Sequence, residues 1–330
     1  MRSQSRNIRT TIPLFERFPA LAEIPRVSLG RFPTPISPLS GLSTQLWIKR
    51  DDLCADPLGG NKVRALEFLL GGVGEEDELV TVGSVGSTHA LALSVYGNRL
   101  KARIALGLWR QELNPTATIV SERLLKHRGT VVEFRSPVSA YLWGMLQRAR
   151  GSRWIAAGGS TPLGILGHVN AGLELVEQIE TGILPQPSYV VVPLGTGGTA
   201  AGLALAFAIA GRDITVVGVR VVPQIVARKG HVLGLASRTA KLIESHTGRP
   251  LPRVKPGAID IVHSEYGGAY GRETDSSRAA SLKLDQLRSR PPLSLDGSYS
   301  AKAFAHALEL AARKPTLFWL TFDSRILSAR

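Results

Sequence analysis

Short apolar runs rich in β-branched residues recur along the chain, each separated from the next by a segment long enough for a helix. They are Leu46–Lys49, Leu79–Val82, Arg103–Leu108, Thr130–Phe134, Trp154–Ala157, Tyr189–Pro193, Ile214–Val219, Ile259–Val262 and Thr316–Thr321. β-Branched side chains pack well on a pleated surface, and strands joined by helix-length crossovers pair in parallel. The alternation predicts an α/β fold with mainly parallel sheets. Three hundred and thirty residues correspond to about two domains at roughly 150 residues each. A hydrophobic fraction of 44% fills both cores and excludes a mainly disordered chain. Arg249–Gly257, with Pro250, Pro252 and Pro256, and Arg288–Pro292 read as loops.

Forty Lys and Arg against 26 Asp and Glu leave a net charge of +14, which favours anionic partners. The chain carries neither a basic recognition helix nor an arginine-rich arm, so no specific nucleic-acid partner is expected. The single cysteine, Cys54, excludes an intramolecular disulfide and any cysteine-rich zinc or iron–sulfur site, and it suits a reducing cytoplasm. No metal is expected. Met1–Thr10 carries Arg2, Arg6 and Arg9 without a following apolar run of signal-peptide length, so it reads as a frayed terminus, with a transit peptide as the alternative. The uncharged stretch Thr181–Gly211 exceeds the roughly 20 residues that span a bilayer. Pro185, Pro187 and Pro193, then Gly195, Gly197 and Gly198, break it into strand, loop and buried helix, and no membrane association is expected.

Three motifs carry chemistry. In the first, an apolar strand runs into Gly195-Thr196-Gly197-Gly198-Thr199 and then a helix. Glycines let several backbone N–H groups converge, and a helix N-terminus adds partial positive charge, so the loop is an anion cradle suited to phosphate. With Ala200 the same residues match the dinucleotide pattern G-x-G-x-x-A, but the next strand ends at Arg220 instead of an acidic ribose ligand. Glycines that merely let helix and sheet pack closely are the plainer alternative.

The second motif is Gly59-Gly60-Asn61-Lys62 after Lys49-Arg50-Asp51-Asp52. A lysine at a helix start, partly buried, has a lowered pKa, and a neutral amine is what condensation with a carbonyl requires. A solvated surface charge is the alternative, and the spacing is not that of a Walker lysine. The third is Gly83-Ser84-Val85-Gly86-Ser87-Thr88-His89 ahead of the apolar segment Ala90–Leu100. Ser87 or Thr88 caps the helix, and the free N–H groups beside them suit a carboxylate. His89 reads equally as a catalytic or a structural histidine.

Together, in this order, the motifs resemble the pyridoxal-phosphate enzymes of tryptophan-synthase-β type (fold type II), specifically the D-cysteine desulfhydrase and 1-aminocyclopropane-1-carboxylate deaminase family. The likeness runs from about Val27 through Pro33-Thr34-Pro35 to Thr321, and includes Gly158–Gly164, the segment through Asn170, and the Gly267–Gly271 turn. It implies pyridoxal 5′-phosphate held covalently by Lys62, with Asn61 beside it and Gly195, Thr196, Gly197, Gly198 and Thr199 on its phosphate. Tyr270 and Tyr299 then line the active site, and Ser87, Thr88 and His89 contact the substrate carboxylate or the ring edge.

The chain departs from the family at two places. Thr88 replaces an asparagine that bonds the ring oxygen, and Leu320-Thr321-Phe322-Asp323-Ser324 keeps the threonine of a His-Thr-Gly-Gly motif but not its glycines. Ser300 and Thr321 stand where the deaminases have glutamate and leucine, which puts hydroxyls near the pyridine nitrogen and favours β-elimination from a small amino acid over cyclopropane opening. In that reading Lys62, Ser87, Tyr270 and Tyr299 are catalytic. The resemblance further implies a homodimer of two three-layer α/β domains, the larger built from residues 1–63 and 168–330 and the smaller from 64–167. A ring-opening deaminase, a specialised biosynthetic enzyme of the same type, a nicotinamide-dependent reductase and a non-catalytic basic binding protein are the rival functions.

Overall fold

The computed structural model describes residues 11–111, 114–126, 128–287, 293–323 and 325–328. Met1–Thr10, the expected loop Arg288–Pro292 and Ser324 lie outside them. Strands β1 (Ile36–Pro38), β2 (Leu46–Arg50), β7 (Tyr189–Leu194), β8 (Thr215–Arg220), β9 (Ile259–Val262) and β10 (Thr316–Leu320) form one sheet in the order β1-β2-β10-β7-β8-β9. A second sheet runs β5 (Thr130–Phe134), β4 (Arg103–Trp109), β3 (Glu78–Ser84), β6 (Arg153–Trp154). All pairings are parallel except β1 with β2. β10 slots between β2 and β7, with Phe318 opposite both Ile48 and Val191, so distant parts of the chain share one sheet.

Two elements differ from the expected pattern. The antiparallel edge strand β1 lies between Pro35 and Pro38, residues that hide a strand from any reading by composition. β6 stops at Trp154 because the chain turns at Ala157–Gly159, where Gly158 and Gly159 take φ of 70° and 71°.

Both sheets are sandwiched by helices. α1 (Pro13–Arg17), α6 (Pro162–Glu180), α7 (Gly198–Ile209) and α8 (Lys229–Thr247) share a core on one face of the larger sheet. α9 (Asp275–Asp285) and α10 (Ser300–Ala311) cover the other. α2 (Asn61–Leu69), α3 (Thr88–Arg99) and α4 (Pro115–Lys126) share the core of the smaller sheet. α5 (Pro137–Ala149) packs on its opposite face, where Trp143 fits against Gly107, and α11 (Arg325–Ser328) ends the described chain.

α7 is apolar all round, the pattern of a core helix. It lies so close to α6 that a Cβ on Gly202 would stand 2.4 Å from the Cβ of His168, and one on Gly172 2.4 Å from that of Ala206. Among the described residues, no helix is long and apolar enough to cross a membrane.

α2 is tied to the larger sheet by buried charge. Arg64 donates two hydrogen bonds to Asp51, of 2.7 and 2.8 Å, and two to Glu174 on α6, of 2.9 and 3.1 Å. Lys49 on β2 completes the quartet, with its Nζ 2.6 Å from both Glu174 Oε1 and Gln178 Oε1. Two cations meet two anions, and each of the four residues is at most 2% exposed. Burial works against an ionised Glu174, yet the adjacent Arg64 and Lys49 hold it at about 2, below its ordinary 4.5. Removing one partner of a buried pair strands the others.

Glu174→Gln is therefore expected to lower unfolding free energy by about 3–5 kcal/mol, read from the urea midpoint. A loss under about 1 kcal/mol would show that α2 is held by packing alone. Because the folded pKa of Glu174 is depressed, its stabilisation is full above its ordinary 4.5 and is lost as pH falls toward 2.

Candidate active site

The residues singled out by sequence converge on a cleft of about 510 Å³, its open mouth included. Its walls include Asn61, Lys62, Thr88, Gly195–Thr199, Tyr299 and Thr321. Of the others, Tyr270 reaches this set through its hydroxyl, His89 and Ser300 are buried, and Ser87 is half-buried at the start of α3. Gly158, Ser160 and Phe322 also line it. Gly158 and Ser160 lie in the glycine-rich segment already noted, which marked the region without indicating that it faces the loop.

β7 ends at Leu194, and Gly197 takes φ of 88° to let the chain turn into α7, a left-handed geometry that a side chain would strain. No atom lies within 4 Å of the place a Cβ on Gly195 would occupy, so this part of the loop faces open space. At Gly198 a Cβ would come within 2.6 Å of Ser160 Oγ. The loop is braced from three sides. Ser160 Oγ and Thr196 Oγ1 are 2.6 Å apart, Asn61 Nδ2 donates to Thr199 Oγ1 at 2.8 Å, and His231 Nε2 lies 3.2 Å from the Thr196 carbonyl. The first N–H groups of a helix have no partner within it, so the start of α7 offers donors to an anion.

Asn61 also fixes its own helix, because its backbone N–H donates to the Thr321 carbonyl at 3.0 Å, just past β10. A Cβ on Gly60, at φ 104°, would lie 2.6 Å from that carbonyl oxygen, so this turn requires glycine. Lys62 follows, partly exposed on the cleft wall, and desolvation lowers its amine from 10.5 to about 8. His89 is buried, and burial, reinforced by the Lys62 charge, lowers its imidazole to about 3. Neither of its ring nitrogens has a partner of good hydrogen-bond geometry, although the Ala156 backbone is near enough to favour the charged form slightly. His168 on α6 is lowered as well, first by burial and then by Lys62 and Arg64. Both imidazoles are neutral at physiological pH.

Ser87 is the N-cap of α3, its Oγ accepting from the Ala90 N–H at 3.2 Å; the hydroxyl proton stays free to donate elsewhere. Thr88, the first residue of the helix, stands beside the hydroxyl of Tyr299, which meets that of Tyr270. The two tyrosine rings pack edge to face with centroids 5.9 Å apart. Burial raises the Tyr299 phenol, against a smaller opposing effect of Thr88, so it keeps its proton. The buried Asp296 carboxylate accepts the Tyr299 and Ser300 N–H groups at 2.7 and 3.0 Å, which sets the start of α10. Ser300 is fully buried; its Oγ has no partner of good hydrogen-bond geometry, although it stands close enough to the Asp296 carboxylate to favour the ionised form.

The altered C-terminal motif has a structural use. Asp323 accepts the Gly59 N–H at 2.7 Å and is gripped by Arg325, which also donates to the Ala55 carbonyl at 2.8 Å. The pair clamps the turn that leads into Lys62, a link between positions 264 residues apart that local spacing does not reveal.

The site suits pyridoxal phosphate. The glycine loop offers a cradle at a helix N-terminus, open where a Cβ on Gly195 would stand, and the amine needed for covalent attachment is lowered to about 8. Comparison with known proteins agrees. The family model "Pyridoxal-phosphate dependent enzyme" matches residues 27–321. The chain is 32% identical to a nocardicin C-9′ epimerase from Nocardia uniformis subsp. tsuyamanensis, over 92% of this chain and 94% of that one. It is 30% identical to a D-cysteine desulfhydrase from Salmonella typhi, over 89% and 90%. The crystal structure of an ACC deaminase homologue superposes with a TM-score of 0.76 at 28% identity, covering 96% of this chain and 98% of that one. The processed form of threonine deaminase isoform 2 from Solanum lycopersicum, 16% identical with a TM-score of 0.61 over 94% of this chain and 84% of that one, shares the fold. With its cleft, its lysine and its glycine loop arranged in this way, the chain belongs to the pyridoxal-phosphate-dependent enzymes of fold type II.

Proposed function

We propose that the protein is a β-eliminating lyase for a small amino acid of the D-cysteine kind, releasing a 2-oxo acid, ammonia and the β-substituent. The observation that carries this reading is the chemistry of the cleft: Thr321 lines it, the Ser300 hydroxyl is buried behind it beside Asp296, and no carboxylate lines it among the described residues. A hydroxyl facing the pyridine nitrogen leaves that nitrogen neutral, which suffices for elimination of a good leaving group but gives less help to ring opening. The chain is 30% identical both to a D-cysteine desulfhydrase and to a putative 1-aminocyclopropane-1-carboxylate deaminase, so the choice between them rests on the cleft.

When bound, pyridoxal phosphate supplies the electron sink for negative charge at the substrate α-carbon. In this reading Lys62 would hold the cofactor through its amine, and the same amine would serve as general base for the α-proton. Gly195–Thr199 and the first N–H groups of α7 hold the phosphate, with Asn61 fixing Thr199. Thr88 would take the ring-oxygen position with its shorter hydroxyl, and Ser87 at the start of α3 would serve the substrate carboxylate, with the neutral His89 buried behind it. Tyr299, protonated, beside Thr88 and joined to Tyr270, orients the substrate and donates to the departing group. The division into residues 1–63 with 168–330 and residues 64–167, the homodimer and the cytoplasmic location belong to the same reading.

The purified holoprotein is expected to be yellow, and borohydride is expected to fix the cofactor to the wild type but not to Lys62→Ala. A colourless protein that stays unmodified by added pyridoxal phosphate would remove the basis of the reading. The amine is charged below its pKa, so fixation to the apoprotein should rise with pH through about 8. A midpoint near the ordinary 10.5 would show that Lys62 is not desolvated.

Assayed for 2-oxo acid, the wild type should turn over D-cysteine or β-chloroalanine with at most traces from 1-aminocyclopropane-1-carboxylate. Preference for the cyclopropane would reverse the assignment to ring opening. Exchange of the α-hydrogen with solvent deuterium, without 2-oxo acid release, would instead assign an epimerase.

A further inference from the structure

Tyr270 and Tyr299 belong to separate segments 29 residues apart, linked within the larger unit by the hydrogen bond from Lys302 Nζ to the Tyr266 carbonyl and by the close fit of Glu273 on Gly297. A further residue that joins the two segments comes from across the cleft. Asn114 precedes α4, on the smaller sheet, and its Oδ1 accepts the Ala117 N–H at 2.7 Å as the helix N-cap. Its Nδ2 points the other way. It donates to the Gly271 carbonyl at 2.6 Å and to Ser298 Oγ at 2.7 Å. Gly271 directly follows Tyr270, and Ser298 directly precedes Tyr299.

The orientation of the amide is not arbitrary. A backbone N–H only donates and a carbonyl only accepts, so the oxygen must face Ala117 and the nitrogen Gly271. The approach also depends on a glycine, since a Cβ on Gly271, at φ 83°, would lie 2.9 Å from Asn114 Nδ2. One amide therefore caps a helix of the smaller sheet and holds both tyrosine-bearing segments of the larger one. Thr88, which stands beside the Tyr299 hydroxyl, also comes from the smaller-sheet side.

We infer that Asn114 is a positioning residue, a latch that sets the Tyr270–Tyr299 pair when the smaller sheet sits against the larger. The inference rests on the reading of these tyrosines as substrate-facing groups. It assigns Asn114 no contact with substrate or cofactor.

Asn114→Ser separates the two jobs of the side chain, because serine caps a helix about as well as asparagine but is too short to reach Gly271 or Ser298. Hydrogen exchange on the apoprotein should then show the amides of residues 268–272 and 298–300 opening about tenfold faster, with α4 as protected as in the wild type. Ser298→Ala, which removes one of the two acceptors, should give an intermediate effect of about threefold. In the holoenzyme kcat/KM on the preferred amino acid should fall about tenfold, while pyridoxal-phosphate affinity and its visible absorption maximum stay within twofold and unshifted.

Unchanged exchange in both segments would overturn the inference, as would loss of α4 protection together with theirs, since that would make Asn114 a helix cap and nothing more. If the wild type turns over no amino acid, the proposed reaction fails, but the exchange measurement still decides whether Asn114 latches the tyrosine segments.

Discussion

The quartet of Lys49, Asp51, Arg64 and Glu174 carries no hydrophobic energy, yet the position of every residue along α2 depends on it. Charges taken out of water recover little net stability when paired, but once buried they tolerate only one arrangement. Arg64 must meet Asp51 from β2's side and Glu174 from α6, which fixes both the rotation and the height of its helix. Lys62 stands two residues earlier and inherits that orientation. Val63 and Leu66 meanwhile enter the core of the smaller sheet and Phe68 that of the larger, so one short helix is anchored by charge and packing to one unit and by packing to the other. The Asp323–Arg325 clamp holds the preceding turn from outside.

Much of this architecture was legible in the sequence because parallel strands are buried on both faces and so read as unbroken β-branched runs. All the expected runs correspond to strands, with ends shifted by a residue or two, except that Trp154–Ala157 overlaps β6 at Trp154 alone. β1 escaped because its prolines mask it, and the last expected residues of β6 escaped because two glycines with positive φ turn the chain away. The glycine loop, the Gly-Gly-Asn-Lys turn and the Ser-Thr-His cap are local motifs, and each occupies a helix start as read.

What remained hidden is long-range. Glu174 lies 125 residues from Lys49, and no periodicity joins them. Asn114 ahead of Pro115 has the form of a helix start, with proline in the first turn. That its amide also reaches residues 157 and 184 positions away is a fact of tertiary structure only. The partnering of Ser160 with Thr196 is of the same kind.

The glycine contacts between α6 and α7 bear on how such a site changes over time. With His168 and Ala206 filling the spaces where side chains on Gly202 and Gly172 would go, α7 has no room to slide or tilt, and the loop at its head is as fixed as the core beneath it. Variation in chemistry must then be written elsewhere, in the segments around Thr88, Tyr270, Tyr299 and Phe322, which border the cleft without supporting that helix pair. Relatives described as an epimerase and as a desulfhydrase are similarly distant from this chain. An immobile anchor facing replaceable walls lets selection explore new substrates without endangering the fold.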